Sequence, residues 1–175
     1  MKLTLIVLAS ILAFVVLRKL FWPSTEIKLE GPIANWIIPD AWTLATGELD
    51  GKPIVTRYRD GITPLIGNPA YPKQLGIAIP LHNPREDGLP TNEEGNQLYE
   101  VEDEIRRIFA VANESLCVGV ISTKGMREFI LYTSNEAAAL AKAKDLQKSV
   151  QHHELQININ HDPEWNVYKN LFSNK

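Results

Sequence analysis

The sequence predicts an α+β fold: a mainly antiparallel sheet with two long helices packed on one face, in a split β-α-β-like order, behind an N-terminal transmembrane helix. Three observations predict it. Gly88 to Ala112 carries Leu98, Val101, Ile105, Ile108 and Ala112 at spacings of three and four, which line up as one apolar stripe on a helix. Two strand-like pairs flank that stretch, one meeting at Asp50-Gly51, a strong hairpin signal, the other around Lys124-Gly125. Leu3 to Leu17 is an uncharged run bounded by Lys2 and by Arg18-Lys19. At 175 residues and 45% hydrophobic, the chain has room for one ordinary domain with a core, and two would be crowded.

Taken in order, the apolar run comes first. Counted through Leu20 to Trp22, with the basic side chains snorkelling to the headgroups, it reaches about the 20 residues a spanning helix needs. A cleaved signal peptide should end in small residues, but Arg-Lys-Leu-Phe-Trp-Pro follows, so residues 1–22 read as an uncleaved single-pass anchor in preference to the alternative, a signal-like helix. The membrane contact is through residues 3–22. Basic residues stand at both ends, so the side on which the following domain lies is left open. Residues 23–34 mix Pro, Ser, Gly and charge without a period, as a tether does, and the α+β domain occupies 35–175.

Trp42 to Thr46 and Pro53 to Tyr58 form the first hairpin, and glycines and prolines between Asp60 and Lys73 make a loop. Leu75 to Pro80 is a third strand with Leu75, Ile77 and Ile79 on one face. Thr91 and Glu94 have capping-box spacing, so the long helix starts near Asn92. Glu102–Arg106 and Asp103–Arg107 read as i,i+4 pairs on its solvent face. Leu116 to Thr123 and Met126 to Thr133 form the second hairpin. Val118 and Val120 fall on one face, and Cys117, Gly119 and Ile121 on the other. Apolar residues on both faces make these strands central.

Thr133 and Glu136 repeat the capping spacing and open a helix over Asn135 to Val150, with Leu140, Ala143, Leu146 and Val150 as its buried stripe. His153 to Asn160 is the last strand, with Leu155, Ile157 and Ile159 inward. Asp162-Pro163 takes the cap and first positions of a short terminal helix that Trp165, Tyr168 and Phe172 pack back on the domain.

The composition disfavours several functions. A net charge of -3, with no basic cluster beyond Arg18-Lys19 and Arg106-Arg107, argues against a nucleic-acid surface. The single cysteine, Cys117, excludes an internal disulfide and a thiolate zinc site. Glu93, Glu94, Glu102, Asp103 and Glu104 suit capping and solvent pairing better than acid–base work or a hard cation. His152 and His153 are adjacent on a strand and point to opposite faces, so with His161 and Asp162 they do not suggest a metal site. Ser122, Thr123 and Ser134 lack a hydrolase context, and the glycines form no nucleotide-binding loop. No catalytic residue, metal or cofactor is expected. Arg127, Glu128, Tyr132, Asp162, Trp165 and Tyr168 are the candidate partner-binding set, since Arg, Trp and Tyr anchor interfaces. The plainer reading pairs Arg127 with an acid across the sheet and uses Trp165 and Tyr168 to close the core.

Gly88-Leu89-Pro90 with Glu93/Glu94 and Glu102-Asp103, then Thr123-x-Gly125-x-Arg127-Glu128, Tyr132-Thr133 and Asp162-Pro163-x-Trp165-x-x-Tyr168 resembles the bacterial domain-of-unknown-function family 695. The resemblance covers about Trp42 to Tyr168. It implies an α+β domain that in some relatives stands beside a module similar to the regulator of ribonuclease E activity B, and it implies no catalytic residue. The functional expectation is a membrane-tethered, non-enzymatic protein-binding domain, of adaptor, regulator or immunity type. The alternative is an enzyme or small-ligand-binding domain using the carboxylate-rich helix and Arg127.

Overall fold

A computed structural model describes residues 26–173. Its strands are β1 (Trp42–Leu49), β2 (Lys52–Arg59), β3 (Lys73–Pro80), β4 (Ser115–Thr123), β5 (Met126–Thr133) and β6 (Gln156–His161). They form one six-stranded sheet in the order β1-β2-β4-β5-β3-β6, with every neighbouring pair antiparallel. The helices are α1 (Asn92–Phe109), α2 (Glu136–Ser149) and the short α3 (Asn166–Tyr168), which runs on into a π turn over Lys169–Ser173. β3 and β4, joined through α1, lie on either side of β5; β5 and β6, joined through α2, lie on either side of β3. These are two interlocked split β-α-β units, the ferredoxin-like β-α-β-β-α-β order, with the β1–β2 hairpin extending the sheet beyond β4.

Both hairpin turns are built from left-handed residues: Asp50 and Gly51 at φ 51° and 74°, Lys124 and Gly125 at 49° and 76°. That backbone matches the twist of the strands it joins. α1 and α2 lie on the same face of the sheet. Leu98, Val101, Ile105 and Phe109 of α1, with Ala139, Ala143 and Leu146 of α2, close over Leu75, Ile77, Ile79, Phe129 and Leu131. α1 spans 18 residues and α2 only 14, so one of the two expected long helices is of ordinary length. A second core covers the opposite face, where Ile130 and Tyr132 meet Ile62, Tyr71 and the terminal Trp165, Tyr168 and Phe172. With both faces buried, the apolar residues on each side of β4 and β5 are explained.

Several local expectations are corrected. The Thr91 hydroxyl accepts from the Glu94 amide at 3.2 Å, but the Glu94 carboxylate turns away from the cap. It accepts instead from the amides of His82 at 2.5 Å and Asn83 at 3.4 Å. α1 stops at Phe109, which takes the place expected for Ala112; Ala112 and Asn113 are left-handed at φ 54° and cannot continue the helix. Arg107 pairs with Glu104 rather than Asp103. A bulge between Cys117 and Gly119 inserts Val118 as an extra residue, so Val118 and Val120 face opposite cores. α2 is capped by Asn135, which accepts from the Ala138 amide at 3.1 Å, because the Thr133 hydroxyl is buried between Ser115 and the Glu114 carbonyl. Its stripe starts at Ala139, and Leu140, one position further round, is exposed. Pro163 is not the first helical residue, since Trp165 at φ 58° intervenes before α3.

The expected anchor over residues 3–22 lies outside the described residues, and among these no helix is long and apolar enough to cross a membrane. The segment expected as a tether already belongs to the domain from residue 27 onward: Ile27, Leu29 and Ile33 pack on the second core, and Lys28 bridges to Ile37.

Candidate functional site

α1 covers the sheet unevenly. The β1–β2 hairpin carries the sheet past the helix, and between them the C-terminal half of α1 stands over a cavity of about 290 Å³. Its apolar lining comes from Ile105 and Phe109 of α1 and from Leu116, Cys117, Phe129 and Leu131 of β4 and β5. Asp40, Trp42, Arg59, Glu102 and Arg106 supply the polar and aromatic rim.

Strand alternation explains the rim. Arg57 and Arg59 flank Tyr58, so both project on the helix side, and register sets Arg59 opposite Trp42. The two guanidinium carbons lie 5.3 and 5.1 Å from the Trp42 ring centre, within cation–π range. Arg59 is anchored on three sides: it donates to the carbonyls of Cys117 at 3.0 Å and Pro39 at 2.8 Å, and it pairs with Asp40 at 3.2 Å. Burial lowers its pKa and Asp40 opposes that shift, so at arginine's high starting point it stays protonated.

Glu102, expected on the solvent face of α1, is turned toward the sheet. Its Oε1 accepts from Arg57 at 2.5 Å and from Arg106 at 3.2 Å. The Arg106 pair was expected from spacing; Arg57 comes from a strand remote in sequence. A buried carboxylate is tolerable only where cations and donors satisfy it. Here one oxygen is satisfied twice, while Oε2 is buried without a partner among the described residues. Burial likewise pushes the Cys117 thiol up to about 11, with the Arg59 charge working against it.

The six residues expected at a partner surface do not come together. Arg127 lies on the helix face, where its Nε donates to Ser122 Oγ at 2.9 Å and its guanidinium stands 5.8 Å from the Tyr99 ring centre. Its expected acid across the sheet is replaced by that serine. Glu128 faces the other way, half-buried, and its burial raises its pKa. Tyr132, Asp162, Trp165 and Tyr168 form one knot on the second face. The Trp165 ring stacks on Tyr132 with centroids 3.9 Å apart, and its Nε1 donates to the Tyr71 carbonyl at 3.0 Å. Asp162 accepts from the Tyr132 hydroxyl at 2.7 Å and from the amides of Asn166 at 2.8 Å and Val167 at 3.0 Å. Trp165 is fully buried, and Tyr132, Asp162 and Tyr168 are buried with it.

Sequence reasoning missed the arginines of β2 as site residues and a second cluster at the far end of α1. There His82 from the loop before α1, Glu94 from its first turn and His153 from the α2–β6 connection bring ligand-type atoms within 4.8 Å of one another. Their separation along the chain left no spacing signal. His152 and His153 both precede β6 instead of lying in it, with His153 inside and His152 exposed.

The protein is thus a doubled split β-α-β domain with an extended sheet edge and an arginine-rimmed cavity under α1. The family described as "Family of unknown function (DUF695)" matches residues 40–172, and the chain belongs to it. No curated protein matches the chain. Several residues that carry the family resemblance tie the fold together. Gly88, at φ 84°, accepts from the Gly125 amide at 2.8 Å, and a Cβ there would come within 3.0 Å of Lys124.

Proposed function

We propose that the domain binds a small amphipathic molecule in the cavity beneath α1, and that the apolar run over residues 3–22 tethers it to a membrane. The observation that carries this reading is the pairing of an apolar lining with a guanidinium rim, the usual make-up of a small-molecule site. The apolar body of the ligand rests against Phe109, Leu116 and Phe129. An acidic or hydrogen-bond-accepting head meets Arg106, whose side chain is 55% exposed and so retains free donors. This is the ligand-binding alternative of the sequence reading, with Glu102 as the carboxylate that organises the rim and Arg127 lying beneath the helix outside the lining. A protein-docking role of adaptor, regulator or immunity type is the weaker reading. Burial of Tyr132, Asp162, Trp165 and Tyr168 leaves it only Arg127 and Glu128.

Cys117 is a built-in reporter, because it is the single cysteine and it lines the cavity. Methyl methanethiosulfonate labelling of the full chain in bilayer discs, followed by mass spectrometry, should be slowed by 4-phenylbutyrate. Ala110→Trp at the rim should slow labelling without added acid. Arg106→Ala should remove the protection while leaving the unprotected rate near wild type. Labelling indifferent to 4-phenylbutyrate, or protection that survives Arg106→Ala, would overturn the reading.

A further inference from the structure

We infer that His82, Glu94 and His153 form a binding site for a divalent transition ion of the Zn²⁺ type, clipping the start of α1 and the loop before it to the α2–β6 connection. The donor atoms lie within 4.8 Å of one another, close enough for a small adjustment to bring them round one ion. Two imidazoles and one carboxylate form a mixed nitrogen and oxygen set that suits zinc-like ions; calcium and magnesium prefer oxygen throughout.

The second observation is His153 itself. Its side chain is wholly buried, and neither ring nitrogen has a hydrogen-bond partner among the described residues. A buried imidazole normally satisfies its nitrogens, so one left unpartnered in the core calls for an explanation. Its Nε2 lies 3.4 Å from Glu94 Oε1, next to the carboxylate the ion would share but outside hydrogen-bond geometry.

Glu94 is already held as a ligand must be. The His82 amide donates to Oε1 and the Asn83 amide to Oε2, which fixes the carboxylate as outer-shell partners do in metal centres, and each oxygen keeps a second lone pair for an ion. The rings of His82 and His153 stack in parallel, centroids 4.5 Å apart, so one must turn to aim a nitrogen at a common ion. His82 is exposed and is the one free to turn. Three protein ligands leave a fourth position toward solvent on that side. Binding would join the loop before α1, the first turn of α1 and the α2–β6 connection, and would stabilise the fold by mass action.

The test is calorimetric titration of the full chain in detergent with ZnCl₂, with CoCl₂ as a spectroscopic probe. One equivalent of Zn²⁺ should bind and raise Tm, Mg²⁺ should not compete, and Co²⁺ should give visible bands typical of low coordination number. His82→Ala, at an exposed position, should keep the metal-free Tm and weaken binding at least about 10-fold. His153→Gln should do the same to affinity whatever its effect on stability. Failure of wild-type protein to bind Zn²⁺, or one-equivalent binding unchanged in both variants, would overturn the site. Binding lost instead in His152→Ala or Cys117→Ser alone would overturn it equally.

Discussion

Asp162 decides what the terminal aromatic cluster is for. Replacing it with alanine strands the Tyr132 hydroxyl and the amides of Asn166 and Val167, all of which its carboxylate now satisfies. Each buried polar group left unpaired costs about 1–3 kcal/mol, but the two amides are only partly buried and water reaches them, so about 3–5 kcal/mol in all is expected. Against a usual domain stability of about 5–15 kcal/mol that is a large fraction. Asp162→Asn keeps one acceptor oxygen and should lose roughly half as much. Urea unfolding, read by tryptophan fluorescence, should show a lower midpoint with an unchanged slope.

The pH dependence supplies an independent reading of the same residue. Burial alone would raise the Asp162 pKa; the Val167 and Asn166 amides and the Tyr132 hydroxyl outweigh it and hold the group below its ordinary value of 3.8. A carboxyl with a depressed folded pKa contributes stability that is fully present above its unfolded pKa. That contribution is lost as pH falls through the folded value. Wild-type stability should therefore fall on acidification below about 4, and Asp162→Asn should lose part of that dependence. An Asp162→Ala variant within about 1 kcal/mol of wild type would refute the assignment of this carboxylate as the clasp of the second core.

Three further outcomes follow from the geometry. Gly119→Ala drives a methyl group into the Phe172 ring, so it should destabilise by about 1–3 kcal/mol in urea titration, and Phe172→Leu should relieve part of that loss. The Cys117 thiol, pushed up to about 11, should still gain labelling rate about tenfold per pH unit between pH 8 and 10, where a free thiol has begun to level. A plateau near pH 9 would contradict its burial. Thr91→Ala removes the hydroxyl that receives the Glu94 amide and should cost about 1 kcal/mol, measured as a shift in Tm.

What could be read from the chain was local. The apolar spacing of Leu98, Val101 and Ile105, the Asp50-Gly51 turn and the alternation of Leu75, Ile77 and Ile79 each arise within a few residues, and each stands where expected. The same applies to Trp165, Tyr168 and Phe172, whose bulk pointed to the core. Pairings between distant segments were hidden. Glu102 looks like a surface acid until Arg57 on β2 reaches it, and no period announces the bulge that turns Val118 away from Val120. The His82–Glu94–His153 cluster exists only because β3, α1 and the end of α2 converge, which no spacing rule encodes.

The second core has a further consequence for how the protein is made. It is sealed by material from both ends of the described chain: Ile27, Leu29 and Trp36 from the beginning, Trp165, Tyr168 and Phe172 from the finish. On the ribosome, β1 to β5 emerge with Ile27, Leu29 and Trp36 already made, while the C-terminal part of the roof, Trp165, Tyr168 and Phe172, is still unsynthesised. The sheet must wait with that side only partly covered until the last aromatics arrive. A product terminated before Asp162 would leave that part of the sheet uncovered and become a substrate for proteases and aggregation.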